Sequence, residues 1–275
     1  MSKDTNKIEM KTVNVSGVEL EMLDMGDGPP MLFLHAAEGP TFPSDEYLRL
    51  LAKSFRVIAP WHPGFGNQVR PKDFREVSDL AYLYLDLVEQ LELDHPILAG
   101  ASFGGWIAAE MAVRSPATFA SVVLVSPLGI KVRGREDRDI VDMFAVTDED
   151  LLALSFKDPT KGGTDLSKLS EEELTAVYRG RESLAYYGWR PYMHNPRLKR
   201  WLSRVRIPSL LLAGHDDQIV FEGYHKAYSE ALPDCQFAVI KNAGHYPHIE
   251  QSGDVTTVVT KFCQSVGARA SATAA

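Results

Sequence analysis

Short, dense apolar runs recur along the chain at 31–34, 57–59, 97–99, 122–125, 210–213 and 237–240. Each is bounded by turn formers or charge and is too short for a buried helix, so each predicts a strand covered on both faces of a mostly parallel sheet. Between them, 77–91, 106–113, 224–232 and 255–262 carry apolar residues at helical spacing, which predicts the strand and helix alternation of a wound α/β domain. Ahead of these, 12–15 and 19–23 flank Ser16-Gly17 and predict an antiparallel hairpin at one edge. The alternation stops after Pro127 and resumes at Pro208. Residues 1–127 and 208–275 are therefore expected to form the core domain, and 128–207 an inserted helical cap. Two capping patterns in the insert, Thr147-x-x-Asp150 and Ser170-x-x-Glu173, precede apolar periodic residues. Its end is aromatic, with Tyr186, Tyr187, Trp189 and Tyr192, rings that serve equally as glue to the core and as pocket lining. The small, polar segment 267–275 is expected to fray.

Composition narrows the function. The 275 residues are 45% hydrophobic and 24% charged, the balance of a folded chain with one large core rather than a disordered one. A net charge of −8 without a Lys/Arg run argues against nucleic acid and anionic membrane partners. Cys235 and Cys263 lie in no metal-binding or redox spacing, so both are expected to be free, buried thiols of a reducing compartment. The N-terminal stretch MSKDTNKIEMKT leads into no signal-length apolar segment, and no run reaches the roughly 18 apolar residues of a membrane span. The expectation is a cytoplasmic protein in which the Asn14-Val15-Ser16 sequon is idle.

Gly100-Ala101-Ser102-Phe103-Gly104 follows the run at 97–99 and precedes a helical stretch. A nucleophile on a tight strand-to-helix turn sits on strained backbone and needs neighbours without side chains, which G-x-S-x-G supplies. A serine hydroxyl also needs a base, and the base a third group to hold its tautomer. Two later loops, both at C-terminal strand ends, offer candidates: Gly214-His215-Asp216-Asp217 and Gly244-His245-Tyr246-Pro247-His248. No P-loop, dinucleotide or zinc-protease motif is present, so no metal and no cofactor is expected.

With its Ser, Asp, His order, the chain resembles the α/β-hydrolase fold superfamily, of the kind with a helical cap, from about Val18 to Phe262. The resemblance implies an α/β fold with a mostly parallel eight-stranded sheet and flanking helices. It implies Ser102 as nucleophile, Asp217 rather than Asp216 as the acid and His245 as the base, with His248 a structural neighbour. The oxyanion donors implied are the backbone N–H of Phe103 and, from the loop His35-Ala36-Ala37-Glu38-Gly39-Pro40, that of Ala37. This loop carries His35-Ala36 where the family commonly has His-Gly, and Glu38 is expected to face outward or meet a cation. The stretch from Ala59 to Gln68 resembles a structural turn of these hydrolases and receives no catalytic part. The remaining histidines, at 35, 62, 95, 194, 215 and 225, are expected to be exposed or to act as hydrogen-bonded supports. A substrate pocket is expected to draw on Ala36, Phe103, Tyr187, Trp189 and Val220. Serine at the elbow disfavours the dehalogenase and epoxide hydrolase relatives, which use Asp there. The implied reaction is hydrolysis of a small to medium, largely apolar carboxylic ester. The alternatives are a carbon–carbon bond hydrolase of vinylogous diketones, a lactonase, or a ligand-binding receptor of the same fold. The partner is then a small-molecule substrate, and a homodimer is compatible with it.

Overall fold

Residues 9–40, 43–162 and 166–274 are described by a computed structural model. Strands β1 (Glu9–Val15) and β2 (Val18–Met25) form the edge hairpin, its turn residues Ser16 and Gly17 both at positive φ (49° and 86°), as a tight turn between twisted strands requires. The chain continues through β3 (Pro30–Leu34), α1 (Asp45–Leu51), β4 (Arg56–Pro60), α2 (Val77–Gln90), β5 (Ile97–Ala101), α3 (Ser102–Arg114) and β6 (Ser121–Val125). The insert contributes α4 (Asp148–Ser155), α5 (Glu171–Gly188) and α6 (Leu198–Trp201). Then follow β7 (Ser209–Gly214), α7 (Tyr224–Ser229), β8 (Cys235–Ile240), α8 (Pro247–Glu250) and α9 (Ser252–Ala274).

One eight-stranded sheet results, in the order β1-β2-β4-β3-β5-β6-β7-β8, with β2 antiparallel to β1 and β4 and all later pairs parallel. All six apolar runs lie inside parallel strands. One apolar core, with α2, α3 and parts of the insert, covers one face, and a second, with α1 and α9, covers the other. Strand β8 departs from the expectation of two covered faces: it is the last strand, and Phe237 and Val239 remain 40% and 48% exposed. Helix α3 starts at Ser102 itself, slightly ahead of the expected start near Gly104, because the turn after β5 enters the helix without a connecting loop. Helix α9 runs on through Ala274 where fraying is expected; the last stretch, ARASATA, is rich in Ala, the strongest helix former. Cys263 is buried and Cys235 half-buried, both free, and burial pushes the thiols up to about 12 and about 11.

The chain leaves β3 toward β4 on one side and β5 on the other, so the loops after β3 and β5 open a crevice at the C-terminal sheet edge, the usual ligand position of such sheets. The loops after β7 and β8 lie along the same edge. The insert spans the gap between β6 and β7 and is fastened over this edge. Both capping patterns form: Thr147 Oγ1 accepts from Asp150 N–H (3.1 Å), and Ser170 and Glu173 close a reciprocal box. From α5, Ser183 Oγ donates to Gly64 O (2.8 Å) and Tyr187 hydroxyl to Pro63 O (3.2 Å). No helix among the described residues is long and apolar enough to cross a membrane.

Candidate active site

Ser102 occupies the turn between β5 and α3 with φ at +49°, a left-handed conformation that costs a non-glycine residue about 1–2 kcal/mol. The turn persists because its flanks are glycines: a Cβ on Gly100 would overlap Gly104 O, and one on Gly104 would overlap Leu34 O and His35 O. The strained turn presents Ser102 Oγ 2.8 Å from His245 Nε2. His245 sits on the loop after β8, its N–H donating to Ser155 O of the insert (2.7 Å). Its Nδ1 lies 2.8 Å from Asp217 Oδ2, and Asp217 Oδ1 accepts from Ile219 N–H (2.9 Å) on the loop after β7. Asp216 N–H donates to Ala243 O (2.9 Å), binding the two loops together.

Ser102 and His245 are buried, and so is the Asp217 side chain, 4% exposed. Burial alone raises the Asp217 carboxyl, but the His245 charge and the hydrogen bonds from His225 and His245 outweigh it and hold it well below the carboxylate range. An ionised carboxylate only accepts, so Nδ1 of His245 carries hydrogen and Nε2 is free to take the Ser102 proton. Asp216 is not part of this line: among the described residues its carboxylate meets Lys157 Nζ (3.3 Å) and the exposed His215 (3.6 Å).

The N–H of Phe103, in the first turn of α3, has no intrahelical acceptor. Gly104 packs against the carbonyls of Leu34 and His35, which brings the loop carrying Ala37 beside the elbow. That loop is braced by two fully buried, stacked histidines, their ring centroids 3.7 Å apart. His62 N–H donates to His35 Nε2 (2.9 Å), so His35 carries its hydrogen on Nδ1, directed at Ala36 O. His62 donates from Nε2 to His35 O (2.9 Å) and accepts on Nδ1 from the Tyr84 hydroxyl (2.6 Å).

Both rings are thus built to be neutral. Desolvation depresses His35 to about 4, against hydrogen bonding to Ala36 and the Glu38 charge, and depresses His62 well below its ordinary value, with the His35 charge adding to it. The unfolded chain therefore binds more protons, and stability is whole above about pH 6.5 and lost as pH falls toward 4. His35 alone accounts for about 3 kcal/mol over that window. Urea midpoints followed from pH 7 to 4 should fall steeply; a flat profile would refute the neutral brace.

Around this centre, Glu38 accepts from Ser44 Oγ (2.9 Å) and lies 3.6 Å from the buried His248 Nε2. Buried Glu250 takes three backbone N–H groups: Gly244 (2.6 Å), Asp158 (2.8 Å) and Lys157 (3.2 Å). It joins the His245 loop to the insert. Trp106 Nε1 donates to Glu110 Oε1 (3.2 Å) and its ring packs edge-on against Phe103, which places it in the core.

Phe103 and Tyr187 are buried with ring centroids 6.2 Å apart, and Val220 bridges Ile140 of the insert. The other two pocket candidates lie in different surroundings. Ala36 is fully buried in the apolar core that includes α1 and α9. Trp189 is half exposed in an outer ring cluster with Phe144 and Tyr192, because the chain reverses there in a bridge between Trp189 and Tyr192. Tyr186 lies under the Arg70 guanidinium, and Tyr192 hydroxyl exchanges hydrogen bonds with Met143 N–H and Val141 O (2.7 Å each). Most of these aromatics are glue. Two open surface depressions, along α5 and at the end of α2, hold none of the triad residues.

His225, expected only as an exposed or supporting residue, donates from Nε2 to Asp217 Oδ2 (2.9 Å). Asp217, His225 and His245 place ligand-type atoms within 4.8 Å of one another, yet hydrogens already link them, and a cation would have to displace both. Neither His225 nor Glu250 is marked by periodicity or motif, since each owes its place to loops that meet only in the fold.

The family model of the "Alpha/beta hydrolase family" matches residues 31–257, which carry the whole sheet from β3 onward, the elbow and both acid and base loops. The chain belongs to the alpha/beta hydrolase family. It is 25% identical to a 2-hydroxymuconate semialdehyde hydrolase of Pseudomonas sp. strain CF600 over 94% of this chain and 95% of that protein. It is also 25% identical to a 2-hydroxy-6-oxo-2,4-heptadienoate hydrolase of Pseudomonas putida, over 92% and 95%. Among solved structures, the naproxen esterase of Bacillus subtilis superposes with a TM-score of 0.71 at 21% identity, covering 93% of this chain and 91% of that one.

Proposed function

We propose that this alpha/beta hydrolase is a serine hydrolase cleaving a carboxylic ester of a small to medium, largely apolar substrate through an acyl-enzyme. The unbroken Ser102–His245–Asp217 hydrogen-bond line on a strained elbow carries the reading. Ser102 Oγ adds to the carbonyl carbon as its proton passes to His245 Nε2, and the proton then goes to the leaving alcohol. Asp217 stabilises the imidazolium, and water activated by the same nitrogen releases the acid. The N–H groups of Phe103 and Ala37 meet the developing oxyanion, and 128–207 acts as a cap that excludes water.

Carbon–carbon bond hydrolysis is the second reading, supported by the two Pseudomonas relatives, of which the second is named for a dienoate, a carboxylate. The carboxylates of Glu38 and Glu250 contact the loop that carries His245, at His248 and Gly244, while the nearby cations are engaged elsewhere: Arg70 by Tyr186 and Phe74 O, Lys157 by Asp216 and Lys161 by Glu250 O. That surrounding favours a neutral ester over an anionic substrate.

A fluorophosphonate probe should label the protein, and kcat/KM for p-nitrophenyl butyrate should exceed that for an aryl lactone or a 2-hydroxy-6-oxo-dienoate by ~10-fold or more. Preference for the dienoate would install the second reading. A protein that neither labels nor turns over any of the three is a binding receptor.

A further inference from the structure

We infer that His225 is a positioning residue of the hydrolytic site, acting through Asp217. The inference rests on the serine hydrolase reading. One carboxylate oxygen, Asp217 Oδ2, receives two imidazole hydrogens, from His245 Nδ1 (2.8 Å) and from His225 Nε2 (2.9 Å). The other oxygen receives Ile219 N–H (2.9 Å), so three donors fix the carboxylate plane.

His225 is itself held with little freedom. It stands in the first turn of α7, which begins after Gly223 at φ +92°. Its side chain is 7% exposed, and Tyr224 packs edge-on against it at 5.5 Å. Tyr224 is anchored in turn by exchanging hydrogen bonds with Ile130, its hydroxyl 3.1 Å from both N and O. His225 Nδ1 has no hydrogen-bond partner among the described residues. Nε2 is therefore the one polar end of this buried ring with an assigned contact, and that contact is the triad carboxylate. A ring kept for packing alone gains nothing from a nitrogen with no partner.

Two consequences follow for the reaction. Asp217 cannot swing away from His245 without abandoning His225 and Ile219, so the base stays in the tautomer that accepts the Ser102 proton. The second donor also draws charge from Oδ2 and so weakens the pull of Asp217 on the His245 imidazolium. The charged or titratable groups facing this point are Asp217 and His245 from the two strand-end loops, Tyr246 packed against His245, and Tyr224 beside His225, both tyrosines feeling the Asp217 charge and Tyr224 also that of Asp139 of the insert.

The experiment compares wild type, His225→Ala and His225→Gln for kcat, KM and the pH profile of kcat/KM on p-nitrophenyl butyrate, with thermal midpoints as a check on folding. In His225→Ala, kcat should fall about tenfold with KM little changed, the loss a mispositioned acid produces. The acid limb of kcat/KM should move up by about half a pH unit, since Oδ2 regains charge. His225→Gln, whose side-chain amide can donate to the same oxygen, should restore most of kcat and return the limb. A His225→Ala protein with the wild-type limb and kcat overturns the inference, and so does a folded Gln variant no better than Ala. Wild type that resists the fluorophosphonate probe fails the underlying hydrolase reading instead, so the two failures are separable.

Discussion

Replacing Ser102 with alanine should end fluorophosphonate labelling and lower kcat by roughly 10⁴- to 10⁶-fold, the cost of removing a nucleophile that works as a unit with its base. His245→Ala should cost about as much, and the double variant no more than either, because the proton has nowhere to go once one of the two is missing. Asp217→Asn should lose about 10⁴-fold, since an amide presents a hydrogen to Nδ1 and inverts the tautomer. Asp216→Asn, which alters only contacts to the exposed side chains of Lys157 and His215, should stay within about twofold. Rates on p-nitrophenyl butyrate, with labelling measured in parallel, decide the matter. Independent losses that multiply in the double variant would show that Ser102 and His245 do not act together.

Gly104→Ala should be damaging although it touches no reacting group. A methyl there lands on the carbonyls of Leu34 and His35, which are backbone of β3 and its following loop and cannot rotate aside. Overpacking of this kind costs about 1–3 kcal/mol or more, which for a chain of this size lowers the thermal midpoint by several degrees, roughly 2–4 °C per kcal/mol. Relief can come only by moving the loop that bears Ala37 away from the elbow, so kcat should fall along with stability. Calorimetry and kinetics on the variant test both. A Gly104→Ala protein with the wild-type midpoint and rate would disprove the close approach.

The parallel strands were legible because their burial is local information: six apolar runs bounded by turn formers, each inside its strand. The elbow was legible for a similar reason, since its strain demands glycines at neighbouring positions in the chain. The residues that steady the centre were not. His225, Glu250 and the His35–His62 stack act on partners 8, 6 and 27 positions away, and no period or motif marks them. Their chemistry is created by loops that adjoin only after the sheet has formed. The aromatics of the insert were legible only in part. The pattern announced rings at the end of the insert, but only the bridge between Trp189 and Tyr192 decides that Trp189 turns outward while Tyr187 turns toward Phe103.

The carbonyl that holds the base belongs to the insert: Ser155 O receives His245 N–H, and the N–H groups of Lys157 and Asp158 converge on Glu250 beside it. The segment 128–207 is therefore not a detachable module. A chimera that exchanges it wholesale for a relative's keeps an acceptor for the buried His245 amide only if the new backbone follows the same path at 155–158, so grafts that leave these residues with the host and swap the stretches on either side preserve the contact.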